Sequence, residues 1–169
     1  ERHQRMVGRR RLFQEDVEAR AGDLLLLQDL HEIGFLVGAA ARGVDEVGRG
    51  CLAGPVVAAA CILDREKSVP EGLNDSKKLT TKRRAEIAEE LRHSAVAFAV
   101  GVVEADEIDR INILEATKLA MVKSINALKP AADHLLIDAL QLKQSSLPQK
   151  AIIKGDAISY SIAAASVIA

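Results

Sequence analysis

Asp45 and Glu46 stand side by side in "VDEVGRGCLAGP", at the end of an apolar run, and a third acid, Asp138, closes the apolar run "HLLID". Neighbouring residues of a strand point to opposite faces, so Asp45 and Glu46 reach one ion only where the strand gives way to a turn. Gly48 and Gly50 supply that turn. Strands ending at one sheet edge would bring all three acids together. Clustered carboxylates repel, and a hard divalent ion such as Mg2+, which takes oxygen ligands and keeps several waters, removes the repulsion. An acid at the end of "LLI" costs free energy unless it is ligated, paired or solvated. Each signal alone also has a plainer source. An acid pair before glycine is commonly a solvated turn, and a strand-end Asp is commonly a cap.

These acids need elements to hold them. "ARGVDE" reads as a strand, and "GPVVAAACIL" (Gly54 to Leu63) as a second, apolar throughout and therefore covered on both faces. A polar loop with Pro70 and Gly72 leads to the helix "TKRRAEIAEELRHS" and a third strand, Ala95 to Val103. "INILEATKLAMVKSINALKP" is the clearest helix. Asn112 and Glu115 have capping-box spacing, Leu114, Met121, Ile125 and Leu128 form its apolar stripe, and Pro130 ends it. "HLLIDAL" and "KAIIKGD" (Lys150 to Asp156) read as strands, with Asp156 capping a final buried helix in which Ser159, Ser161 and Ser166 are packing residues. Near the start, Arg10 to Gly34 reads as a helix interrupted near Gly22, with Leu24, Leu27 and Leu30 on one side. The alternation of strands and helices predicts an α/β fold, a mixed sheet flanked by helices.

The chain has 169 residues, enough for one such domain with a core. That core must be aliphatic, since aromatics are 2% and Trp is absent, which argues against a base-stacking single-strand binder. Net charge is −1, but Arg2 to Arg11 holds five arginines, suited to nucleic acid or to a solvated tail. Cys51 and Cys61 lack CxxC partners and sit among apolar residues, so both are expected buried and reduced, in a cytoplasmic protein. No segment is long and apolar enough to span a membrane. The absence of a P-loop or GxGxxG fingerprint counts against a small-molecule enzyme acting on a phosphorylated metabolite.

Taken together, "GVDEVGRGCLAGPVVAAACIL", "LNDSKKLT", "INILEATKLAM", "LLIDAL" and "KGDAISYSIAAASVIA", in this order and spacing, resemble the ribonuclease HII family from about Leu12 to the last residue. Gly-Arg-Gly fits this type better than ribonuclease HIII, which tends to carry Gly-Lys-Gly. The resemblance implies a ribonuclease H-like fold over residues 35–169, with residues 1–34 as a basic segment and helix. It implies a monomeric endonuclease that cuts the RNA strand of RNA–DNA hybrids. It also implies incision of DNA duplexes 5′ to a single embedded ribonucleotide, leaving 3′-hydroxyl and 5′-phosphate. Asp45, Glu46 and Asp138 would be the catalytic metal ligands for Mg2+ or Mn2+ in two-metal hydrolysis. The backbone of Gly48, Arg49 and Gly50 would read the 2′-hydroxyl, which alone separates RNA from DNA at that sugar. Asn74, Ser76, Lys77 and Lys78 would contact phosphate and sugar, with Asp75 holding their loop. Lys154, before a helix N-terminus, would meet an anion.

In the family the final helix is expected to run on to a fourth aspartate and a tyrosine beyond Ala169, so three acids are expected here, with weaker ion binding and slower cleavage. A hybrid-binding module without catalysis is the competing expectation.

Overall fold

The structure, a computed structural model, describes residues 41–51, 53–64, 67–131 and 133–169. The expected helix at Arg10 to Gly34 and the arginine-rich start lie outside the described residues. Among the described residues, five strands form one mixed sheet: β1 (Ala41–Val47), β2 (Val56–Ile62), β3 (Ala97–Val103), β4 (His134–Asp138) and β5 (Gln149–Ile152). Their spatial order is β3-β2-β1-β4-β5. β1 pairs antiparallel with β2 and parallel with β4, which makes it the centre of the sheet.

Helices α1 (Thr81–Ser94), α2 (Ala105–Ile111), α3 (Ile113–Ala127), α4 (Gly155–Ile158) and α5 (Tyr160–Ile168) cover it. The α3 side is packed with large aliphatics, Val44, Ile62, Leu135 and Ile137 against Met121 and Ile125. The α5 side is built from small ones, Ala59 and Cys61 against Ala163, Ala164 and Ala165, with Ile87 and Leu91 of α1 behind. β2 is covered on both faces, as its unbroken apolar run requires. Burying each large side chain here stabilises the fold by about 1.5–3 kcal/mol relative to exposure.

The helix over Thr81–Ser94 forms as its sequence predicts, with Thr80 Oγ1 accepting from the Arg83 amide. Asn112 caps α3 by accepting from the amides of Leu114 and Glu115. Glu115 does not close the expected box, because its carboxylate takes Lys118 at 2.6 Å. Leu114 is 37% exposed and off the buried stripe, being in the first turn beyond the sheet. "KAIIKGD" is only partly strand. β5 ends at Ile152, and Lys154, at φ 57°, turns the chain into α4. Asp156 therefore lies in the first turn of a short helix, and the last helix starts after Ser159 instead. Cys61 is buried as expected, but Cys51 is exposed, since it sits in the turn after β1 rather than in a strand.

Candidate active site

Asp45 and Asp138 follow directly after the last registered pair of the two neighbouring parallel strands, Val44 and Ile137. They therefore reach the same edge of the sheet together. Asp45 is buried and its Oδ1 accepts from the Glu46 amide at 2.8 Å. Burial pushes its carboxyl up to about 7, reinforced by the charges of Glu46 and Asp138 and opposed by a hydrogen bond from Ser166. Glu46 is half-buried and raised for the same first reason. Arg49 and Lys77 pull it down, and Asp138 pushes it up. Asp138 Oδ1 accepts from the Gly155 amide at 2.7 Å, so the expected anion-binding amide next to Lys154 already serves this acid.

A fourth carboxylate joins the cluster. Asp156, read from the sequence as a cap, is buried and has its carboxyl raised by burial and by the charges of Asp75 and Asp138. Lys77 Nζ stands 3.8 Å from its Oδ2, and Arg49 Nη1 stands 3.8 Å from Glu46 Oε1. Each basic side chain thus faces one acid. Sequence reasoning missed Asp156 because a local cap explained it. The available signal was its place in a "KGD" turn at the same sheet edge as Asp138.

The turn after β1 closes with the Cys51 amide donating to Gly48 O at 3.1 Å. Gly48 is required by the fold itself: φ is 92°, and a Cβ would sit 2.8 Å from Pro55 O. Gly50 is not. Its φ is ordinary and nothing lies within 4 Å of where a Cβ would be. Its missing side chain leaves open space outside the molecule.

The loop "NDSKKL" forms a 3-10 turn over Ser76–Lys78, with Asp75 as its cap accepting from the Lys77 amide at 2.9 Å. Asp75 thus holds the loop, as expected. Lys77 reaches Asp156, and the Ser76 hydroxyl lies 2.9 Å from that of Ser166 in α5. Asn74 stays within its loop, accepting from the Asp75 amide, and Lys78 and Lys154 are exposed.

The donor set fits a hard divalent cation. All four acids offer oxygen, and Glu46 Oε2 is buried with no hydrogen-bond partner among the described residues. The side chains are not closed around a point: among the described residues no three of Asp, Glu, His or Cys converge tightly enough to hold an ion as they stand.

Carboxylates on the central strand and its parallel neighbour, in a mixed five-stranded sheet flanked by helices, define a ribonuclease H-like α/β protein. The structure is similar to that of the ribonuclease H2 from Pyrococcus horikoshii OT3, with a TM-score of 0.63 and 28% identity over 76% of this chain and 69% of that one. It is also similar to Bst-RNase HIII in complex with Mn2+, with a TM-score of 0.62 and 26% identity over 88% and 54%. The sequence profile of ribonuclease HII matches residues 42–169, and the chain belongs to the ribonuclease HII family. It is 55% identical over 127 residues to the ribonuclease HII of Desulfitobacterium hafniense, covering 75% of this chain and 48% of that protein. It is 52% identical over 142 residues to that of Shouchella clausii, covering 84% and 53%. The chain spans about half the length of these curated relatives.

Proposed function

We propose that this chain carries the core of a metal-dependent endonuclease. It hydrolyses the RNA strand of RNA–DNA hybrids and incises DNA duplexes 5′ of single ribonucleotides, leaving 3′-hydroxyl and 5′-phosphate ends. The observation that carries the reading is the gathering of Asp45, Glu46, Asp138 and Asp156 at one sheet edge, with a buried Glu46 oxygen unpartnered. Family membership supports the substrate class.

Asp45, Glu46, Asp138 and Asp156 would hold Mg2+ or Mn2+. When bound, the cation supplies an activated water and stabilisation of the leaving oxygen. The chain's own residues do the rest. Arg49 and Lys77 stand beside Glu46 and Asp156 at the acid edge, where both would meet backbone phosphate. The open space at Gly50 lets the backbone of the Gly48–Cys51 turn approach a ribose and accept or donate at its 2′-hydroxyl. Lys78 and Lys154 are exposed and add positive charge for the duplex. Asn74, tied to its own loop, orders that loop.

The test is a DNA duplex with one embedded ribonucleotide, incubated with the chain and Mg2+ or Mn2+, beside an EDTA control and the Asp45→Asn variant. The expected result is metal-dependent incision 5′ of the ribonucleotide, lost in both controls. Binding without incision would replace the catalytic reading with a hybrid-binding one. Incision retained by Asp45→Asn would overturn the metal assignment.

A further inference from the structure

We propose that the open face of β3 is a docking surface for this chain's own residues 10–34, which lie on it through Leu24, Leu27 and Leu30.

β3 is an edge strand whose sequence, "AFAVGVV", is apolar at every position. Such a run suits a strand covered on both faces. One face is covered. Gly101 takes the backbone of α3 directly, and Val103 is buried in the core on that side. The other face is open. Phe98, Val100 and Val102, with Val96 just before them, are between 38% and 49% exposed. They stand on the α5 side of the sheet, in register with Cys61, Ala59 and Val57 of β2. Contiguous apolar stripes of this kind mark contact surfaces. The rim of the strand is less suited to a partner. Lys123 Nζ donates to Val102 O at 2.9 Å, and a charged side chain there disfavours addition of another strand. The face suits an apolar helix side laid on top.

Residues 10–34 lie outside the described residues, and their sequence pattern and point of attachment select them. Leu24, Leu27 and Leu30 fall on one side of a helical pattern, with Asp29 and Glu32 opposite. In a helix Leu24 and Leu30 stand about 9 Å apart, and along the strand Phe98 and Val102 stand about 13 Å apart, so the two stripes match to within one turn. The chain also enters at the right end. β1 and β3 both run antiparallel to β2, and Arg42 and Ala97 register with the same residue, Ile62. Arg42 is therefore two strand spacings, about 10 Å, from the start of β3. Residues 35–41 span up to about 23 Å when extended, enough to bring Gly34 onto the face beside that start. A helix ending there and lying along β3 runs back toward the carboxylate end of the sheet. It carries the arginine-rich start, Arg2 to Arg11, in that direction.

The test measures maleimide labelling of single thiols in the full chain. Cys51→Ser removes the exposed native thiol, and Cys61 stays silent because it is buried with its thiol pushed up to about 12. Val100→Cys and, separately, Val102→Cys report on the face, and Lys82→Cys, at a side chain 89% exposed, reports on open surface. Each is compared with and without Leu24→Gln, Leu27→Gln and Leu30→Gln together, and thermal melting reports folding. With the leucines present, both face reporters should label about tenfold more slowly than Lys82→Cys at every protein concentration. The three substitutions should bring them to the Lys82→Cys rate, and Leu27→Gln alone should move them part of the way. Face reporters that label as fast as Lys82→Cys in the unsubstituted segment would overturn the docking. Protection that survives the three substitutions, or that grows with protein concentration, would overturn it in favour of another occupant, in the second case another copy of the chain.

Discussion

Gly43 and Gly101 are the same steric device used on opposite faces of one sheet. At Gly43, on β1, a Cβ would collide with the backbone of Ser161 and Ile162 in α5. At Gly101, on β3, it would collide with the backbone of Ala120 and lie 2.7 Å from the Ser124 amide in α3. Both glycines let a helix sit directly on a strand. The difference is what the helix carries. α3 brings Met121 and Ile125 to the aliphatic core and nothing to the acids. α5 brings Ser166 to the Ser76 hydroxyl of the loop beside the acids, and α4 before it brings Asp156 to the acids themselves. Both seats are the same packing device, and the proposed site lies only on the side where α4 and α5 run beside the carboxylates.

The largest expected effect separates the site from both seats. Asp138→Asn should abolish cleavage with the fold intact, since Asn keeps an acceptor for the Gly155 amide and removes only charge. A urea melt beside a cleavage assay checks this, and a lost fold would mean that Asp138 is structural.

Next come the two seats. Gly43→Ala and Gly101→Ala should each destabilise the protein by about 1–3 kcal/mol or more, because backbone rather than a flexible side chain must give way. Only Gly43→Ala should also weaken Mn2+ binding in the protein that remains folded. Equal loss of metal affinity in both variants would erase the distinction between the two faces.

The third is a pH effect that belongs to the carboxylate edge. The Asp45 carboxyl titrates near 3.8 when unfolded and at about 7 when folded, so between these values the folded state holds the extra proton. Stability of the metal-free protein should therefore fall as pH rises from about 4 to about 7. Mn2+ affinity should rise over the upper part of that range, because the ligand must lose its proton. Asp45→Asn should make that fall shallower, the raised Glu46 and Asp156 carboxyls supplying what remains, and melting curves at stepped pH in EDTA would show it.

The smallest effect is at the loop. Lys77→Ala should lower duplex affinity and reduce the slope of log affinity against log salt by about one. An unchanged slope would remove Lys77 from the phosphate contacts.

Those parts of the proposed site that local chemistry explains are legible in the sequence. Asp45, Glu46 and Asp138 stand out because acids ending apolar runs are costly, and α1 runs over Thr81–Ser94 as its pattern indicates. Asp156 and Ser166 did not stand out. Asp156 had a sufficient local reason as a cap, and Ser166 sits in a helix of small residues where a hydroxyl reads as packing. Asp156 is set beside Asp138 by the Gly155 amide, which donates to Asp138 Oδ1 across 17 positions, and Ser166 meets Ser76 across 90, contacts that no short window of sequence contains. Cys51 failed for the opposite reason. Its apolar neighbours suggested burial, but the turn that serves the site lifts it to the surface.

The central claim is that four carboxylates at one sheet edge form a divalent cation site. Calorimetric titration of Mn2+ into the full chain at pH 8, beside Asp45→Asn and Asp156→Asn, tests it most directly. Saturable binding by the wild type, weakened by both substitutions, is the predicted result. Binding that neither substitution disturbs, or no binding at all, would contradict it.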